Sequence, residues 1–246
     1  MPIPVRPRYP TSHPRWMVQI TDDGSRTLVD PATDVAFHSG CGALAETATV
    51  YLRHGGVRDR VADRLPTRIL EIGVGLGLGL LMSVDLAAGA GVPLRYVGIE
   101  NDWLPADVLE QLDYGSHLSD PRLFDRWLDW RRSVDDGERS TTTNWGDGVW
   151  VTILRQDFAS IDGDDVTFRG SFDAIYFDPF DPAVDDDLWS EGVFRSMHRC
   201  LASDGRLTTY CVRRSIRDRM AAAGFAVERV PGPPGGKREV LVARPT

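Results

Sequence analysis

Hydrophobic residues recur at two spacings along the chain, and the two spacings predict strands that alternate with helices. Short apolar runs bounded by charged or small residues predict strands, whereas apolar residues three or four positions apart predict helices. Strands are expected at 68–72, 95–100, 149–156, 172–177, 206–211, 225–230 and 239–243, and helices at 78–88, 104–112, 192–201 and 215–223. This alternation predicts an α/β fold with a mostly parallel sheet.

The chain ahead of this region has a different pattern. Residues 17–30 carry apolar side chains on either side of the Asp-Asp-Gly at 22–24, which predicts a β-hairpin with a tight turn. The following apolar spacing predicts a helix at 43–53.

Length and pattern together predict one main domain with an addition at its start. With 246 residues the chain can bury a sizeable core. We expect residues 1–55 to form an extension packed on a main domain at 56–246. Residues 114–148 are polar and weakly periodic, so we expect an insertion near the site, with a short helix at 121–131.

A glycine-rich segment follows the first strand of the predicted main domain. Residues 70–80 read LEIGVGLGLGL, with Glu71 in the strand and Gly73, Gly75 and Gly77 after it. A phosphate loop needs Lys and then Ser or Thr after its last glycine, and GxGxxG needs a differently placed third glycine, so both are excluded. The remaining pattern, acidic-x-GxGxG, is typical of class I S-adenosylmethionine methyltransferases, which have a Rossmann-like fold. These glycines and Glu71 are predicted to bind that cofactor.

A second acidic residue lies at the spacing that such a fold requires. Glu100 ends the strand RYVGIE, 23 residues after Gly77, close to the roughly 20 residues expected for the next strand of a βαβ unit. We predict that Glu100 accepts hydrogen bonds from the ribose hydroxyls of the cofactor and that the adjacent Asn101 helps to bind it. The alternative is a tight strand-to-helix turn with a surface glutamate.

Acidic residues end several of the predicted parallel strands. Ligands bind beyond the carboxyl ends of strands in open α/β sheets, so Glu71, Glu100, Asp157 and Asp178 are expected to converge on one crevice. Asp157 and Phe158 are predicted to hold the adenine amine and to cover the ring. Asp157 also suits an ordinary capping position before a turn.

The segment Asp-Pro-Phe-Asp-Pro at 178–182 follows the fourth strand, where methyltransferases place groups that face the methyl acceptor. An amine acceptor must be neutral, whereas a free alkyl amine has a pKa of about 10. We expect Asp178 to contact the cofactor and to orient the amine, either accepting its proton or, because an ordinary carboxylate is a weak base, acting through alignment and electrostatics while water takes the proton. Phe180 is expected to pack on the acceptor base or on the cofactor. The alternative is that two prolines end a strand and an aromatic ring fills the core.

Composition favours an enzyme of this kind over a generally cationic nucleic-acid binder. The net charge is −8, and phosphate contacts depend on Lys and Arg. The arginines at 213, 214, 217 and 219 form a cluster that suits either a phosphate contact or a solvated helix face. Three cysteines and five histidines lack metal-ligand spacing, and no signal peptide or membrane span is apparent, so a reduced, cytoplasmic and metal-free protein is expected.

Several segments in a fixed order resemble one known family over nearly the whole chain. They are TDDGSRTL at 21–28, FHSGCGALAET at 37–47, FDPFDPAVDDDLWS at 177–190 and GGKREVLVA at 235–243. The set is similar to the tRNA 5-methylaminomethyl-2-thiouridine methyltransferases, the methyltransferase part of the bifunctional MnmC type, which also occurs alone. The resemblance implies S-adenosylmethionine-dependent methylation of the aminomethyl group of 5-aminomethyl-2-thiouridine at the tRNA wobble position.

The resemblance also implies roles for single residues. The family's DGF followed by Ala or Ser and Pro is matched by Asp178, Phe180 and Pro182, whereas Pro179 and Asp181 depart from it. The expected substrate-binding residues are Asp181, Trp189, Lys237 and Arg238, the last two in the family's closing KRE segment. His38, Ser39 and Glu46 match the early segment and are candidates to line the cofactor pocket, although a buried structural histidine fits equally well.

Partners and alternatives follow from the same comparison. Because the sequence stops after this domain, a separate enzyme is expected to supply the aminomethyl substrate, and tRNA is the expected partner. The oligomeric state is not predicted. One alternative is an amino-methyltransferase acting on another nucleobase or a small amine, and a second is a non-catalytic protein that binds the cofactor or RNA. An aminopropyl transferase is disfavoured because the loop lacks GGGD.

Overall fold

A twisted eight-stranded sheet forms the centre of the protein, and a four-stranded sheet precedes it. The computed structural model describes residues 5–134, 139–161, 168–184 and 186–246. The small antiparallel sheet has strands β1 (Arg8–Pro10), β2 (Met17–Ile20), β3 (Arg26–Asp30) and β4 (Val35–Ala36), in that order. The central strands are β5 (Thr67–Ile72), β6 (Leu94–Glu100), β7 (Ser140–Gly146), β8 (Val149–Arg155), β9 (Phe172–Phe177), β10 (Leu201–Thr209), β11 (Phe225–Pro231) and β12 (Glu239–Pro245).

The order of the large sheet places a crevice beside its middle strand. The order is β11-β12-β10-β9-β5-β6-β8-β7, and the five strands from β10 to β8 are parallel, whereas β7, β11 and β12 pair antiparallel. From β5 the chain continues to β6 on one side and later returns to β9 on the other. Such a reversal opens a ligand site beyond the carboxyl ends of the strands.

Helices cover both faces of this sheet. They are α1 (Ala43–Glu46), which continues as a π-helical segment (Thr47–Arg53), α2 (Val57–Ala62), α3 (Leu78–Ala90), α4 (Ala106–Glu110), α5 (Arg122–Ser133), α6 (Glu191–Cys200) and α7 (Arg214–Ala222). Successive residues of β5 point to opposite faces, so Ile69 joins one apolar cluster with Leu80 and Trp127, and Leu70 joins another with Phe194 and Met220. Burial on both faces explains why this strand is apolar throughout most of its length.

The fold confirms the α/β class, the mostly parallel sheet and the hairpin across residues 22–24, with Met17 paired to Val29. Two elements start more than one residue away from the predicted position. Helix α4 begins at Ala106, because Pro105 disfavours helical geometry at Leu104. Strand β10 begins at Leu201 and contains a register shift before Arg206, where the sequence pattern placed its start.

Four short or exposed elements have no counterpart among the predicted ones. Strands β1 and β4 have three and two residues, α2 has six, and β7 lies at the sheet edge inside the expected insertion, which also holds the predicted helix as α5. Among the described residues, no helix has the length and apolar character needed to cross a bilayer.

Candidate active site

A cavity of about 540 Å³ opens beyond the carboxyl ends of β5, β6, β8 and β9. Its wall combines the loops that follow these strands with the segment between β4 and α1 and with the turn before β12. The residues on which the argument depends are Phe37, His38, Ser39, Glu46, Gly73, Gly75, Glu100, Asn101, Asp157, Phe158, Asp178, Phe180, Asp181, Tyr210 and Lys237. Three of the four carboxylates expected to converge there, those of Glu100, Asp157 and Asp178, do so.

The glycine loop forms the floor between the two halves of the cavity. Gly73 has φ +85°, and a Cβ atom there would lie 2.8 Å from the Asp178 carbonyl oxygen, so only glycine lets the ends of β5 and β9 approach this closely. Gly73 and Gly75 line the cavity as expected. Gly77 instead caps the start of α3 and packs against the indole of Trp127, outside the cavity wall.

Glu71 does not line the cavity, contrary to the expectation that it would reach the crevice. Side chains alternate along β5, and Glu71 points to the face that packs under α3, where it accepts a hydrogen bond from the Tyr96 hydroxyl. Burial raises the pKa of its carboxyl well above the ordinary value. The residue supports the glycine loop from below, with Gly79 leaving the room that its carboxyl occupies.

The Glu100 side chain folds across the glycine loop. One carboxylate oxygen accepts the Gly75 N–H at 2.8 Å, and the other accepts the N–H groups of Asn101 and Asp102, both at 2.8 Å. Burial raises the pKa of this carboxyl, and the three hydrogen bonds oppose that change. The carboxylate is therefore fixed at the end of β6, facing the cavity, and Asn101 lines the wall beside it.

Asp157 and Phe158 form the wall beyond β8. The Asp157 carboxylate accepts the Ala159 N–H at 2.8 Å and caps a single 3₁₀ turn, Phe158–Ser160, so the capping arrangement considered for this residue is present. Asp157 is also exposed and lines the cavity, while the Phe158 ring is almost wholly buried beside it. A ligand group that hydrogen-bonds the Asp157 carboxylate would share it with the Ala159 N–H.

Asp178 lies at the opposite end of the cavity from Asp157, directly after β9. Its N–H donates to the Ile72 carbonyl oxygen at 3.0 Å, which joins the ends of β5 and β9. Burial is the main cause of a pKa well above the ordinary value, and repulsion from Glu46 adds to it. The Tyr51 hydroxyl and the Lys237 ammonium lower the pKa again, although the buried Tyr51 hydroxyl makes no hydrogen bond of standard geometry.

Glu46 faces the same end of the cavity from α1. It is buried, accepts the Ser39 N–H at 2.7 Å, and has a pKa raised by burial and lowered by Lys237. His38 beside it is also buried, with its Nδ1 atom 3.2 Å from the Thr27 hydroxyl, and burial lowers its pKa to about 4. His38, Ser39 and Glu46 thus all lie at the cavity, as the early motif implied.

Aromatic rings connect the acceptor loop with the small sheet. The Phe180 ring lies 5.1 Å from that of Phe37, which lies 5.0 Å from that of Trp16. Phe180 and Phe37 both line the cavity. Phe37 was not among the predicted site residues, and only its place inside the early motif pointed to it.

The predicted substrate-binding residues lie in different environments. Asp181 lines the cavity and pairs with Arg213 at 2.6 Å. Trp189 is fully buried in the core and donates its indole N–H to the Phe180 carbonyl oxygen at 2.9 Å, so it supports the acceptor loop from behind. Lys237 and Arg238 are both exposed, and of the two Lys237 lines the cavity.

Tyr210 is a cavity residue that the sequence reasoning missed. It follows β10, and its hydroxyl donates to the Pro179 carbonyl oxygen at 2.8 Å. Its position one residue beyond a parallel strand was the available signal. The neighbouring arginine cluster is mostly paired with acids: Arg213 with Asp181, Arg219 with Asp186 and Arg214 with Asp218.

Comparisons with known proteins agree on the type of domain. Residues 143–245 match a family described as S-adenosyl-L-methionine-dependent methyltransferase. The tRNA 5-methylaminomethyl-2-thiouridine biosynthesis bifunctional protein MnmC of Cupriavidus metallidurans is 30% identical over 240 residues, which is 92% of this chain and 33% of that protein. The protein of the same name from an Azoarcus species is 31% identical, over 92% of this chain and 35% of that protein. The chain thus spans about a third of the length of these relatives.

Solved structures show the same fold. MnmC2 of Aquifex aeolicus superposes with a TM-score of 0.73 and 21% identity, over 96% of this chain and 72% of that one. A spermidine synthase of Thermotoga maritima has a TM-score of 0.55 and 15% identity, over 97% of this chain and 72% of that one. At these identities the likeness concerns architecture.

The site fits S-adenosylmethionine in shape and in donor chemistry. The ends of β5 and β9 meet through a glycine with no side chain, which leaves open space above the loop. A partly buried carboxylate on β6, that of Glu100, faces that space, as a diol requires, and a ring covers its far wall. A carboxyl pair, the buried Glu46 and the partly buried Asp178, lies with aromatic rings at the other end, where a second molecule can enter.

Proposed function

We propose that the chain methylates an aminomethyl nitrogen on a tRNA wobble uridine, because residues 143–245 match the S-adenosyl-L-methionine-dependent methyltransferases and the chain is similar to the MnmC proteins over most of its length. The finer form of the proposal is that the acceptor is 5-aminomethyl-2-thiouridine and the product its N-methyl derivative. The names of the relatives and the acceptor end of the cavity support this choice. The observation that carries it is a partly buried carboxyl, Asp178, in the same cavity as Glu100.

The half of the cavity beside β6 and β8 is assigned to the cofactor, which supplies an electrophilic methyl group on a sulfonium. Glu100 is proposed to accept hydrogen bonds from the ribose hydroxyls, because its carboxylate is already fixed by three backbone donors. Asn101, Asp157 and Phe158 are proposed to complete this half. Gly73 and Gly75 leave the backbone free to approach the ligand.

The half beside Asp178 is assigned to the amine. A primary alkyl amine is mostly protonated near neutral pH, and its lone pair is free for methyl transfer only after it loses a proton. A carboxylate with a raised pKa is a better proton acceptor than an ordinary one. Asp178 is therefore proposed to hydrogen-bond the amine, orient its lone pair and hold its proton, while Phe180 and Phe37 pack beside the base.

A base must leave its stack to enter this cavity. Proteins recognise RNA bases mainly in single-stranded loops, where an unstacked base can be bound between aromatic side chains. A wobble nucleotide lies in such a loop, and the two phenylalanine rings offer such a surface. The aminomethyl group itself must come from an earlier reaction, and we propose that a separate active site supplies it.

We also consider a second class of methyl acceptor, because of the charged residues around the cavity. Asp181 replaces the small residue of the family motif, and the arginines of α7 are mostly neutralised by acids. These features suit a small primary amine or another nucleobase amine as well as a tRNA. The same cofactor half and the same Asp178 chemistry would serve those acceptors.

Transfer of labelled methyl from S-adenosylmethionine to tRNA carrying the aminomethyl wobble nucleoside tests the proposal. We expect nucleoside mass spectrometry to find the methylaminomethyl product with wild-type protein. Asp178→Asn keeps the size of the side chain but removes its charge, so we expect turnover to fall by at least 100-fold while S-adenosylhomocysteine affinity changes less than threefold.

Three other results are informative. Methylation of small amines but not of tRNA would favour the second acceptor class. Cofactor binding without transfer to any amine would favour a non-catalytic protein. Unchanged turnover in Asp178→Asn would remove this residue from the mechanism, whatever the acceptor is.

A further inference from the structure

One cation of this chain differs chemically from all the others. The sequence contains 28 lysines and arginines, and Lys237 is its single lysine. Arginine is a planar, permanently charged fork that pairs with carboxylates through two parallel hydrogen bonds, whereas lysine carries a compact point charge. Lys237 is thus the single compact cation among the basic side chains of this sequence.

That position is in the wall of the cavity described above. Lys237 lies in the turn between β11 and β12, which closes through a hydrogen bond from the Gly232 N–H to the Arg238 carbonyl oxygen at 2.9 Å. The Lys237 Nζ atom lies 3.9 Å from the centre of the Tyr210 ring. A cation over an aromatic face is held electrostatically, so Tyr210 fixes the charge at the cavity wall.

The groups around Lys237 come from several parts of the chain. Glu46 on α1 and Asp178 after β9 line the same cavity as Lys237, whose charge lowers the pKa of both carboxyls and of the Cys211 thiol after β10. Asp181 also lines the cavity, but Arg213 pairs with it. The other titratable groups that interact with Asp178 or Glu46 are Tyr51, Tyr210, Glu71 and Tyr96, and the nearby His38 is held neutral by burial.

We propose that Lys237 is an electrostatic positioning residue, whose charge over Tyr210 favours the ionised forms of Asp178 and Glu46 and the neutral form of the incoming amine. The proposal rests on the methyltransferase function proposed above. A nearby cation stabilises a carboxylate and destabilises an ammonium, so both effects favour the reactive protonation state. Removing the Lys237 charge must therefore move the acid limb of the kcat/KM–pH profile to higher pH, through either effect.

The pH dependence of kcat/KM tests this assignment. We compare Lys237→Met, which removes the charge, with Lys237→Arg, which keeps it. Arg244→Met is the matched control, because it removes one exposed positive charge from β12 outside the cavity wall. We expect the acid limb to move up by about one pH unit in Lys237→Met and to stay within 0.3 units, roughly the error of such a fit, in the other two proteins.

Two outcomes overturn the proposal. An unchanged acid limb in Lys237→Met, with a lower rate at every pH, would make the residue a packing element only. An equal displacement in Arg244→Met would make the effect one of net charge.

A spectroscopic measurement does not depend on the acceptor or on folding of the Met variant. Reductive methylation with ¹³C-formaldehyde labels only Lys237 and the N-terminal amine, and the signal missing in Lys237→Arg identifies Lys237. We expect its shift to follow the titration of the carboxyl pair and to lose one inflection in Asp178→Asn. Identical curves in both proteins would contradict the coupling. If no tRNA is methylated at all, the proposed function fails, while this titration still decides the role of Lys237.

Discussion

Glu100 illustrates how one side chain joins the fold to the cofactor half of the cavity. Its carboxylate receives three backbone N–H groups from two segments, the glycine loop and the end of β6. No neutral side chain of the same shape can accept all three, because an amide has only one acceptor oxygen.

Glu100→Gln is therefore expected to lower S-adenosylhomocysteine affinity by at least tenfold, about 1.4 kcal/mol, by turning an N–H₂ group toward backbone donors. Titration calorimetry measures the affinity. Asn101→Ser, a neighbour exposed at the cavity wall, should cost less than Glu100→Gln. An affinity in Glu100→Gln equal to that of wild type would remove Glu100 from the cofactor site.

The sequence predicts which residues lie at strand ends more reliably than it predicts the face of the sheet to which their side chains point. Glu100, Asp157 and Asp178 reach the cavity because parallel strands share one carboxyl edge. Glu71 precedes the last residue of β5 and points to the other face, and Trp189 lies in register with a motif but inside the core. Which face a side chain takes near a strand end depends on where pairing stops, and Ile72 is the last residue of β5 to pair with β6 and β9.

At the scale of elements, the start of α3 leaves little room for added volume. A Cβ atom at Gly79 would lie 2.2 Å from a Glu71 carboxylate oxygen, so a methyl group there must displace the buried carboxyl that Tyr96 binds. Gly89, in the last turn of the same helix, has no atom within 4 Å of its added Cβ.

Gly79→Ala should lower the free energy of unfolding by about 1–3 kcal/mol, because the displaced carboxyl loses its hydrogen bond. Gly89→Ala should raise it by about 0.5–1 kcal/mol, since alanine favours helix over glycine. Urea denaturation measures both. A stabilising effect in both variants would show that the carboxyl under α3 moves freely.

Strands were predictable where their apolar run is long and the strand is buried on both faces. Strands β5, β6 and β9 meet this condition, and their bounds agree with the apolar runs within one residue. In strand β7, half-buried and exposed polar residues alternate at a sheet edge, and the structure of this strand depends on pairing with β8. The local pattern of a polar strand does not show that pairing, which is why the segment was predicted to be an irregular insertion.

For the whole molecule, buried ionisable groups make stability depend on pH in opposing directions. Burial holds the pKa of His38 at about 4, below the ordinary 6.5. The unfolded chain then binds an extra proton between these two values, so stability is lost as pH falls from 6.5 to 4. Asp178 and Glu71 have raised pKa values, so their charging lowers stability as pH rises.

Comparison with His38→Gln isolates the histidine contribution. The difference in unfolding free energy between wild type and variant should shrink by about 3 kcal/mol, the equivalent of 2.5 pKa units, between pH 6.5 and pH 4. Urea titrations at a series of pH values measure it. A constant difference would mean that His38 is protonated inside the fold.

The small N-terminal sheet has a consequence for how ligands and folding influence each other. Phe37, which follows β4, touches Phe180 on the other side of the cavity, so a ligand bound there contacts both sheets at once. If the ligand binds only when the two sheets are in contact, its binding free energy adds to the free energy that holds the sheets together. Proteolysis within the first 40 residues should then slow as ligand concentration rises, and a substitution that loosens β2 or β3 should weaken binding from a distance.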